Sequence, residues 1–426
     1  VPDANVEISA TSTTFATASA LRSANAPGWY LGTFYGNMGN YTDARGVLNP
    51  NGAGNASEMI GGTDKAEKIN GLGGNDTIWG DGGDDALEGG NGNDFLHGGA
   101  GADSLADTQG DDLMWGDDGN DLVNGGTGVD QVFGGGGDDS LYGGQGADIV
   151  DGDDGNDTIF GDSGVIANGS MDANGGSDVI AGGTGNDQIF GGGGADVIDG
   201  GDGDDIVEGG SGNDSLIGWD GNDTFIMDEG DTGFNNAIDG GLGIDTVDYS
   251  ASKGGGTAPN GRVRGININL SNAGVAVLPA GVAAPDSFLA VEKAIGSAFD
   301  DLMVGGSAQV TDQAGALVLR TDPLTGLPLP QLDALGAPVT DPVTGQLVFQ
   351  TIPIDFIIDG GAGRDVIAGG QGNDTLIGGA DSDIVSYAAA TGPVTINLSV
   401  AAAQATGAGS DTLSGFEGII GSAFAD

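Results

Sequence analysis

Gly71-Leu-Gly-Gly-Asn-Asp-Thr-Ile-Trp79 is the first of ten consecutive nine-residue units that continue without interruption to Phe160. In every unit the fourth place is glycine, the sixth is aspartate and the eighth is apolar. A fixed period of this kind is the sequence signature of a repeat architecture. The sixth-place aspartates are Asp76, Asp85, Asp94, Asp103, Asp112, Asp121, Asp130, Asp139, Asp148 and Asp157.

The same pattern returns further along the chain. After a polar insertion at 161–172, six units cover 173–226, a lone unit covers 240–248 and three units cover 360–386. The sixth-place aspartates of these blocks are Asp178, Asp187, Asp196, Asp205, Asp214, Asp223, Asp245, Asp365, Asp374 and Asp383.

The composition of the 426-residue chain points to a cation as partner. Acidic residues number 63 against 10 Lys and Arg, for a net charge of -53, and only 8 of the acids are Glu. Short carboxylates beside 89 glycines suit tight turns and the ligation of hard cations. This charge argues against nucleic acid and anionic membranes as partners. There is no cysteine for a disulfide, and no run reaches the ~18 apolar residues of a membrane span.

Each unit divides into a glycine-rich turn and a three-residue strand. Because alternate side chains of a strand point to opposite faces, the eighth place faces inward and the seventh and ninth face outward. Successive units must turn back, so two units close one coil, and each unit stacks on the second one along at about 4.8 Å. The sequence therefore predicts an all-β protein built on a parallel β-roll, with small β modules beside it.

This stacking places every second aspartate above its neighbour. Carboxylates about 5 Å apart repel one another unless a counterion lies between them. Ca²⁺ accepts about six to eight oxygen ligands, which aspartates and glycine carbonyl groups can supply, whereas Mg²⁺ requires a smaller octahedron. The sixth-place aspartates are therefore the predicted metal ligands, and the cofactor is Ca²⁺, about eight ions in the ten-unit block and about four in the six-unit block. Without metal, ordering a glycine-rich backbone is costly, so we expect calcium binding and folding to be coupled.

The chain resembles the RTX, or hemolysin-type calcium-binding, repeat proteins. Their pattern Gly-Gly-x-Gly-x-Asp-x-apolar-x is matched by Gly89–His97 and by Gly182–Phe190. The resemblance implies a parallel β-roll, calcium between the turns, and type I secretion to an extracellular location. Two places depart from the pattern, Asp107-Thr-Gln-Gly110 and Asp381, and calcium is less certain at those turns.

Between and after the repeats lie two copies of another module. Val291-Glu292 and Ile295-Gly-Ser-Ala-Phe in the first copy return as Phe416-Glu417 and Ile420-Gly-Ser-Ala-Phe in the second. The second copy stops at Asp426, so we expect further residues beyond it, and the lack of an initiator Met predicts a longer precursor.

Repeated Asp-Pro-x-Thr-Gly motifs within a Pro-rich segment, 307–358, predict a protruding hairpin, with a linker as the alternative.

The chain is thus predicted to divide into eight segments. The segments are an N-terminal irregular β segment (1–60), a first RTX β-roll (61–160), an insertion (161–172), a second RTX β-roll (173–248), an RTX-associated β module (249–306), a Pro-rich insertion (307–358), a third RTX block (359–386) and a second, truncated β module (387–426).

The outward places differ between the two predicted sheets. We expect the apolar face to be covered by 1–60 or by another subunit, although aromatic residues also suit strands without a partner. One sheet aligns Trp79, His97, Trp115 and Phe133 beside Phe95 and Leu113, and the facing sheet aligns Glu88, Ala106, Asn124 and Tyr142.

The sequence offers no catalytic constellation and no organic cofactor site. His97 is the only histidine, and without cysteine a nucleophile with its base or a set of haem ligands is hard to assemble. We therefore predict that this chain is not an enzyme by itself.

The main functional prediction is a secreted scaffold of the S-layer, matrix or filament type. Such a scaffold would self-associate or contact the matrix or the cell surface. The alternative is a folding and secretion region of a larger enzyme, since Tyr35–Gly46, within 29–60, loosely resembles the region that joins an animal-type haem peroxidase domain to RTX repeats in large bacterial proteins. A toxin's receptor-binding region is disfavoured because no amphipathic segment is present.

Overall fold

A computed structural model describes residues 47–48, 57, 59–163, 175–227, 236–251, 267–270, 287–299, 301–305 and 355–426. Strands, turns and bends make up this part of the chain, and none of it forms a helix that could span a membrane. The chain divides into two compact units, Val1–Ser211 and Gly212–Asp426.

The first unit contains seventeen strands among its described residues, most of them one per nonapeptide. They are β1 (Val47–Leu48), β2 (Met59–Thr63), β3 (Lys68–Asn70), β4 (Thr77–Gly82), β5 (Ala86–Glu88), β6 (Phe95–Ala100), β7 (Ser104–Ala106), β8 (Leu113–Asp118), β9 (Leu122–Asn124), β10 (Gln131–Gly136), β11 (Ser140–Gly144), β12 (Ile149–Asp154), β13 (Thr158–Asp162), β14 (Val179–Thr184), β15 (Gln188–Gly193), β16 (Val197–Asp202) and β17 (Ile206–Ser211).

Odd-numbered and even-numbered strands of this unit form two separate parallel sheets. Each strand pairs with the second one along the chain, and Ile78 lies opposite Leu96, which lies opposite Met114. Paired strands are therefore two nonapeptides apart, and two nonapeptides make one coil. The predicted parallel β-roll is confirmed.

The core lies between the two sheets and consists of the eighth-place side chains that both sheets direct inward. Ile78, Leu96 and Val132 are fully buried, while the residues on either side of each are partly exposed. This inward-outward alternation follows from the period-two geometry of a strand. It explains why the eighth place is apolar in every unit.

The polar insertion leaves the register of the roll intact. Val150 of β12 lies opposite Ile180 of β14, thirty residues further on instead of eighteen. The difference equals the twelve residues of the insertion, of which 164–172 lie outside the described residues. The repeats on either side therefore stack as if they were consecutive.

The second unit has fifteen strands among its described residues. They are β18 (Ser215–Asp220), β19 (Thr224–Ile226), β20 (Ala237–Asp239), β21 (Thr246–Asp248), β22 (Asn267–Asn269), β23 (Ser287–Leu289), β24 (Lys293–Ile295), β25 (Leu302–Val304), β26 (Ile357–Asp359), β27 (Val366–Ala368), β28 (Thr375–Ile377), β29 (Ile384–Ser386), β30 (Gln404–Ala405), β31 (Ser410–Ser414) and β32 (Gly418–Ile420).

Strands of the non-repetitive modules pair directly with strands of the repeats in this unit. The strand orders are β19-β21-β24-β26-β28-β31-β30, β18-β20-β23 and β22-β25-β27-β29-β32. All the described pairings are parallel except that of β30 with β31. The modules thus extend the sheets of the repeats.

Two predictions from the sequence concern residues outside the described parts. The predicted hairpin of the Pro-rich insertion falls within 306–354, and the stretch Tyr35–Gly46 also lies outside. The segment predicted to cover the aromatic face, 1–60, is described only at 47–48, 57 and 59–60.

Candidate metal centre

The sixth-place aspartates lie immediately before the strand of their own repeat. Asp94 precedes β6, and Asp112 precedes β8. All twenty predicted ligands fall among the described residues, and none is more than 3% exposed. A buried carboxylate is costly unless hydrogen-bond donors or a cation compensate its lost hydration.

In most of these carboxylates, one oxygen accepts a hydrogen bond from the backbone of the neighbouring coil. The N–H of Asp94 donates to Oδ1 of Asp112 at 2.7 Å, and the N–H of Asp112 donates to Oδ1 of Asp130 at 2.8 Å. Repetition of this bond forms two columns in the first unit. One column contains Asp76, Asp94, Asp112, Asp130, Asp148, Asp178 and Asp196, and the other contains Glu67, Asp85, Asp103, Asp121, Asp139, Asp157, Asp187 and Asp205.

The second unit contains shorter runs of the same bond. In each run, the N–H of one residue donates to a side-chain oxygen of the next. The runs are Asp214 to Asn236; Asp223 to Asp245 to Glu292; Asp301 to Asp365 to Asp383 to Glu417; and Phe356 to Asp374 to Asp411.

The second carboxylate oxygen, Oδ2, has no donor at many of these positions. It is buried and accepts no hydrogen bond in Asp85, Asp103, Asp121, Asp130, Asp139, Asp148, Asp157, Asp178, Asp187 and Asp383. A buried oxygen without a donor loses its hydration without compensation. Because such oxygens recur at regular intervals, they indicate positions that suit a bound cation.

The space beside Oδ2 is bordered by a further oxygen atom and kept open by glycine. A methyl group added to Gly98 would lie 2.5 Å from Oδ2 of Asp103 and 2.6 Å from the carbonyl oxygen of Gly116. Gly116 itself has the equivalent neighbours, Asp121 and Gly134. The first-place glycine therefore lets a carboxylate and a carbonyl oxygen approach one another.

The repeats contain almost no cationic side chain that could neutralise these carboxylates. No Lys or Arg occurs between Lys68 and Lys253, and the only histidine lies in that interval. Nδ1 of His97 lies 2.8 Å from Oδ2 of Asp117, which is not a sixth-place residue. Buried oxygens without a protein cation match the preference of Ca²⁺ for oxygen ligands.

Comparison with protein families identifies the repeats. The family model described as the RTX calcium-binding nonapeptide repeat matches residues 61–96, 97–132, 133–165, 172–207, 199–233 and 357–387. The chain carries RTX calcium-binding repeats. A search of curated proteins gives no match.

Burial raises the pKa of the carboxyl groups in the RTX columns. The pKa reaches about 7 at Asp85, Asp121 and Asp130 and about 8 at Asp178. Burial is the largest cause, the backbone N–H donor opposes it, and the neighbouring carboxylates add to it. The RTX columns therefore favour either a bound proton or a bound cation at neutral pH.

Asp107 and Asp381, which depart from the repeat pattern, have different environments. Asp107 is 9% exposed, and one oxygen of each of Asp94, Asp107 and Asp112 lies within 4.8 Å of the others. Asp381 is exposed and has a φ of 81°, a left-handed conformation that favours glycine. Asp107 therefore adds a carboxylate to a column, whereas Asp381 only preserves the left-handed conformation of the turn.

The structure places further acidic residues in the columns that sequence reasoning missed. Glu292 and Glu417 each accept a backbone N–H, from Asp245 at 3.1 Å and from Asp383 at 2.9 Å. These two glutamates occupy equivalent places in the two copies of the non-repetitive module. Their equivalence is the feature of the sequence from which these two column positions could have been predicted. Asp301 and Asp411 are two more acidic additions, and Asn236 is a neutral one.

Aromatic rings stack along the outside of both sheets in the first unit. His97 lies against Trp115 with ring centroids 4.6 Å apart, as the predicted alignment requires. The facing sheet, predicted to be polar up to Tyr142, continues from there into a stack in which Tyr142, Phe160 and Phe190 follow at 4.9 Å intervals. The contrast between the two faces is therefore limited to the first coils.

Proposed function

We propose that the aspartate columns hold a series of calcium ions and that this calcium-bound β-roll serves as an extracellular scaffold. The observation that supports calcium most directly is the run of buried Oδ2 atoms without donors in a stretch without Lys or Arg. The family of the repeats is consistent with the same metal.

The residues of the chain have separate tasks in this proposal. The backbone N–H of the preceding coil holds Oδ1 and fixes the orientation of each carboxylate. Oδ2 and the first-place carbonyl oxygens would ligate the metal, as at Asp103 and Gly116. Bound calcium would supply the positive charge that lets carboxylates of successive coils lie close together.

A calcium titration tests the metal-binding part of the proposal. At pH 8 the calcium-free chain should lack β structure and gain it as calcium is added, because metal binding and folding are coupled. Far-UV circular dichroism follows the β structure, and equilibrium dialysis counts the bound ions. Magnesium at the same concentrations is the control. A chain with unchanged β structure and no bound calcium would refute the proposal.

The scaffold role is supported by the structural nature of the repeats and by the aromatic rings on the outside of the roll. RTX nonapeptides form a structural calcium-binding motif and not a catalytic one, and the roll carries stacked aromatic rings on its outside. We propose that the protein is exported by a type I system and assembles with itself or with the cell surface. Sedimentation with and without calcium should show larger particles only when calcium is present.

The alternative is that the chain is the calcium-dependent folding and secretion region of a larger enzyme, such as a haem peroxidase. The mass of the native polypeptide distinguishes the two functions. A mature chain near 41.6 kDa that assembles with calcium favours the scaffold. A much longer chain with a separate catalytic domain favours the alternative.

A further inference from the structure

Asp107 makes its RTX turn chemically different from the others in the ten-unit block. It occupies the first place of its unit, where the nine other units have glycine. Its Oδ1 accepts hydrogen bonds from the N–H groups of Thr108 and Gln109 and so stabilises a turn without the usual glycines. This role engages one oxygen of the side chain and leaves the other available.

The other oxygen of Asp107 reaches into the column between Asp94 and Asp112. A methyl group on Gly89 would collide with Oδ2 of Asp107 and lie 2.5 Å from Oδ2 of Asp94. At the equivalent Gly71, the oxygen on that side is the carbonyl of Gly89. A carboxylate oxygen therefore replaces a carbonyl oxygen at this point of the column.

All three carboxylates at this point are buried, and each directs one oxygen towards the other two. Asp94, Asp107 and Asp112 are 3%, 9% and 2% exposed. The Oδ1 atoms of Asp94 and Asp112 are engaged by the backbone of the neighbouring coil, and the three Oδ2 atoms have no partner other than one another. Ligands of one calcium ion at about 2.3–2.6 Å can be up to about 5 Å apart, and the 4.8 Å limit of this cluster satisfies that condition.

We propose that Asp94, Asp107 and Asp112 form one calcium site with three carboxylates, and that this site binds calcium more tightly than the other sites of the columns. The inference rests on the proposed function, because it assumes that the columns bind calcium. The affinity of calcium sites increases with the number of charged ligands. This site therefore fills first, and the coils on either side stack on an ordered neighbour.

The variants must separate calcium binding from the role of Asp107 in the turn. Asp107→Asn keeps an oxygen for the N–H groups of Thr108 and Gln109 but removes the negative charge. Asp111→Asn is the matched control, because Asp111 is an exposed residue of the same unit whose Oδ1 accepts the N–H of Val129 at 3.1 Å. Asp107→Gly restores the repeat pattern and provides a second variant that is expected to fold.

The measurement is a chelator titration of the calcium-saturated full chain, in which bound calcium is counted at each free calcium concentration. The wild type and Asp111→Asn should retain one ion at a free calcium concentration about 10-fold lower than the remaining ions require. Both Asp107 variants should lose this step and still show β structure in saturating calcium. Retention of the tight ion by the Asp107 variants would overturn the inference.

The wild type alone separates this inference from the proposed function. If it releases all of its ions together, the three-carboxylate site is wrong and the calcium-binding function stands. If it binds no calcium, both are wrong.

Discussion

Asp112 and Asp130, two nonapeptides apart, are joined by a 2.8 Å hydrogen bond from the backbone N–H of Asp112 to Oδ1 of Asp130. Oδ2 of Asp130 is buried and accepts no hydrogen bond. One carboxylate thus stabilises the stacking of two coils with one oxygen and offers the other to a cation. The two contributions can be separated, because asparagine can replace the first oxygen but not the charge.

Asp130→Asn should weaken calcium-dependent folding. The side-chain oxygen still accepts the N–H of Asp112, but the column loses one charged ligand. We expect the free calcium concentration at half-maximal β structure to rise by about 10-fold. Circular dichroism during a calcium titration measures it. Asp154→Asn, an exposed residue of the same roll with the same change of charge, is the control, and equal shifts in both variants would contradict the prediction.

The calcium-free fold should become less stable as the pH rises. Burial raises the pKa of Asp130 and Asp157 to about 7, from the ordinary value of 3.8. Between these values the folded chain binds more protons than the unfolded chain, so stability present at low pH is lost as the pH rises through about 7. Circular dichroism of the calcium-free chain should show more β structure at pH 5 than at pH 8.

Calcium should weaken this pH dependence, because protons and calcium compete for the same oxygens. Adding saturating calcium should therefore increase the β structure by more at pH 8 than at pH 6. A chain prepared free of calcium by dialysis avoids chelators whose own affinity changes with pH. The prediction fails if saturating calcium increases the β structure at least as much at pH 6 as at pH 8.

Gly128→Ala should destabilise the roll even when calcium is saturating. Gly128 has a φ of 151°, and a Cβ there would overlap the carbonyl oxygen of Gly110. A strained backbone of this kind costs about 1–3 kcal/mol, which urea unfolding in saturating calcium measures. Gly136→Ala is the control, because the nearest atom to a Cβ there is 3.9 Å away. Equal losses in both variants would show that the strain is relieved elsewhere.

The regular part of the fold could be predicted because the nine-residue period determines the position of each strand and the direction of its side chains. Once each unit contributes one inward side chain, Ile78 must stack on Leu96, as the structure shows. The strands between the repeats could not be placed in this way. Asp245 and Glu292 share a column although 47 residues separate them, and that spacing has no period. The position of such short strands depends on the sheet edge with which they pair.

The predicted ligands were identified by spacing, and spacing does not describe a single departure from the pattern. Asp107 breaks the glycine pattern, and the pattern alone leaves calcium less certain at its turn. Its side chain is nevertheless directed into the column, because Oδ1 is engaged by the turn that follows. The direction of a single side chain depends on local hydrogen bonds that a repeat pattern does not contain.

Phe356 offers a test of which column members bind metal and which only pack. It occupies the aspartate place before β26, is fully buried, and donates its N–H to Oδ1 of Asp374 at 2.9 Å. Its ring lies where a methyl group on Gly305 would approach within 2.6 Å, and it provides no ligand oxygen. Phe356→Ala should therefore cost about 3–5 kcal/mol of stability through the cavity it leaves. The number of bound calcium ions should stay unchanged.

Asp374→Asn should give the opposite result, with a smaller loss of stability in saturating calcium and a weaker affinity for calcium. Urea unfolding and equilibrium dialysis of both variants distinguish the two roles. Phe424→Ala is the control for loss of a ring, because Phe424 is 52% exposed and leaves no cavity. If Phe356→Ala released calcium without destabilising the calcium-bound fold, packing would not be the role of this residue.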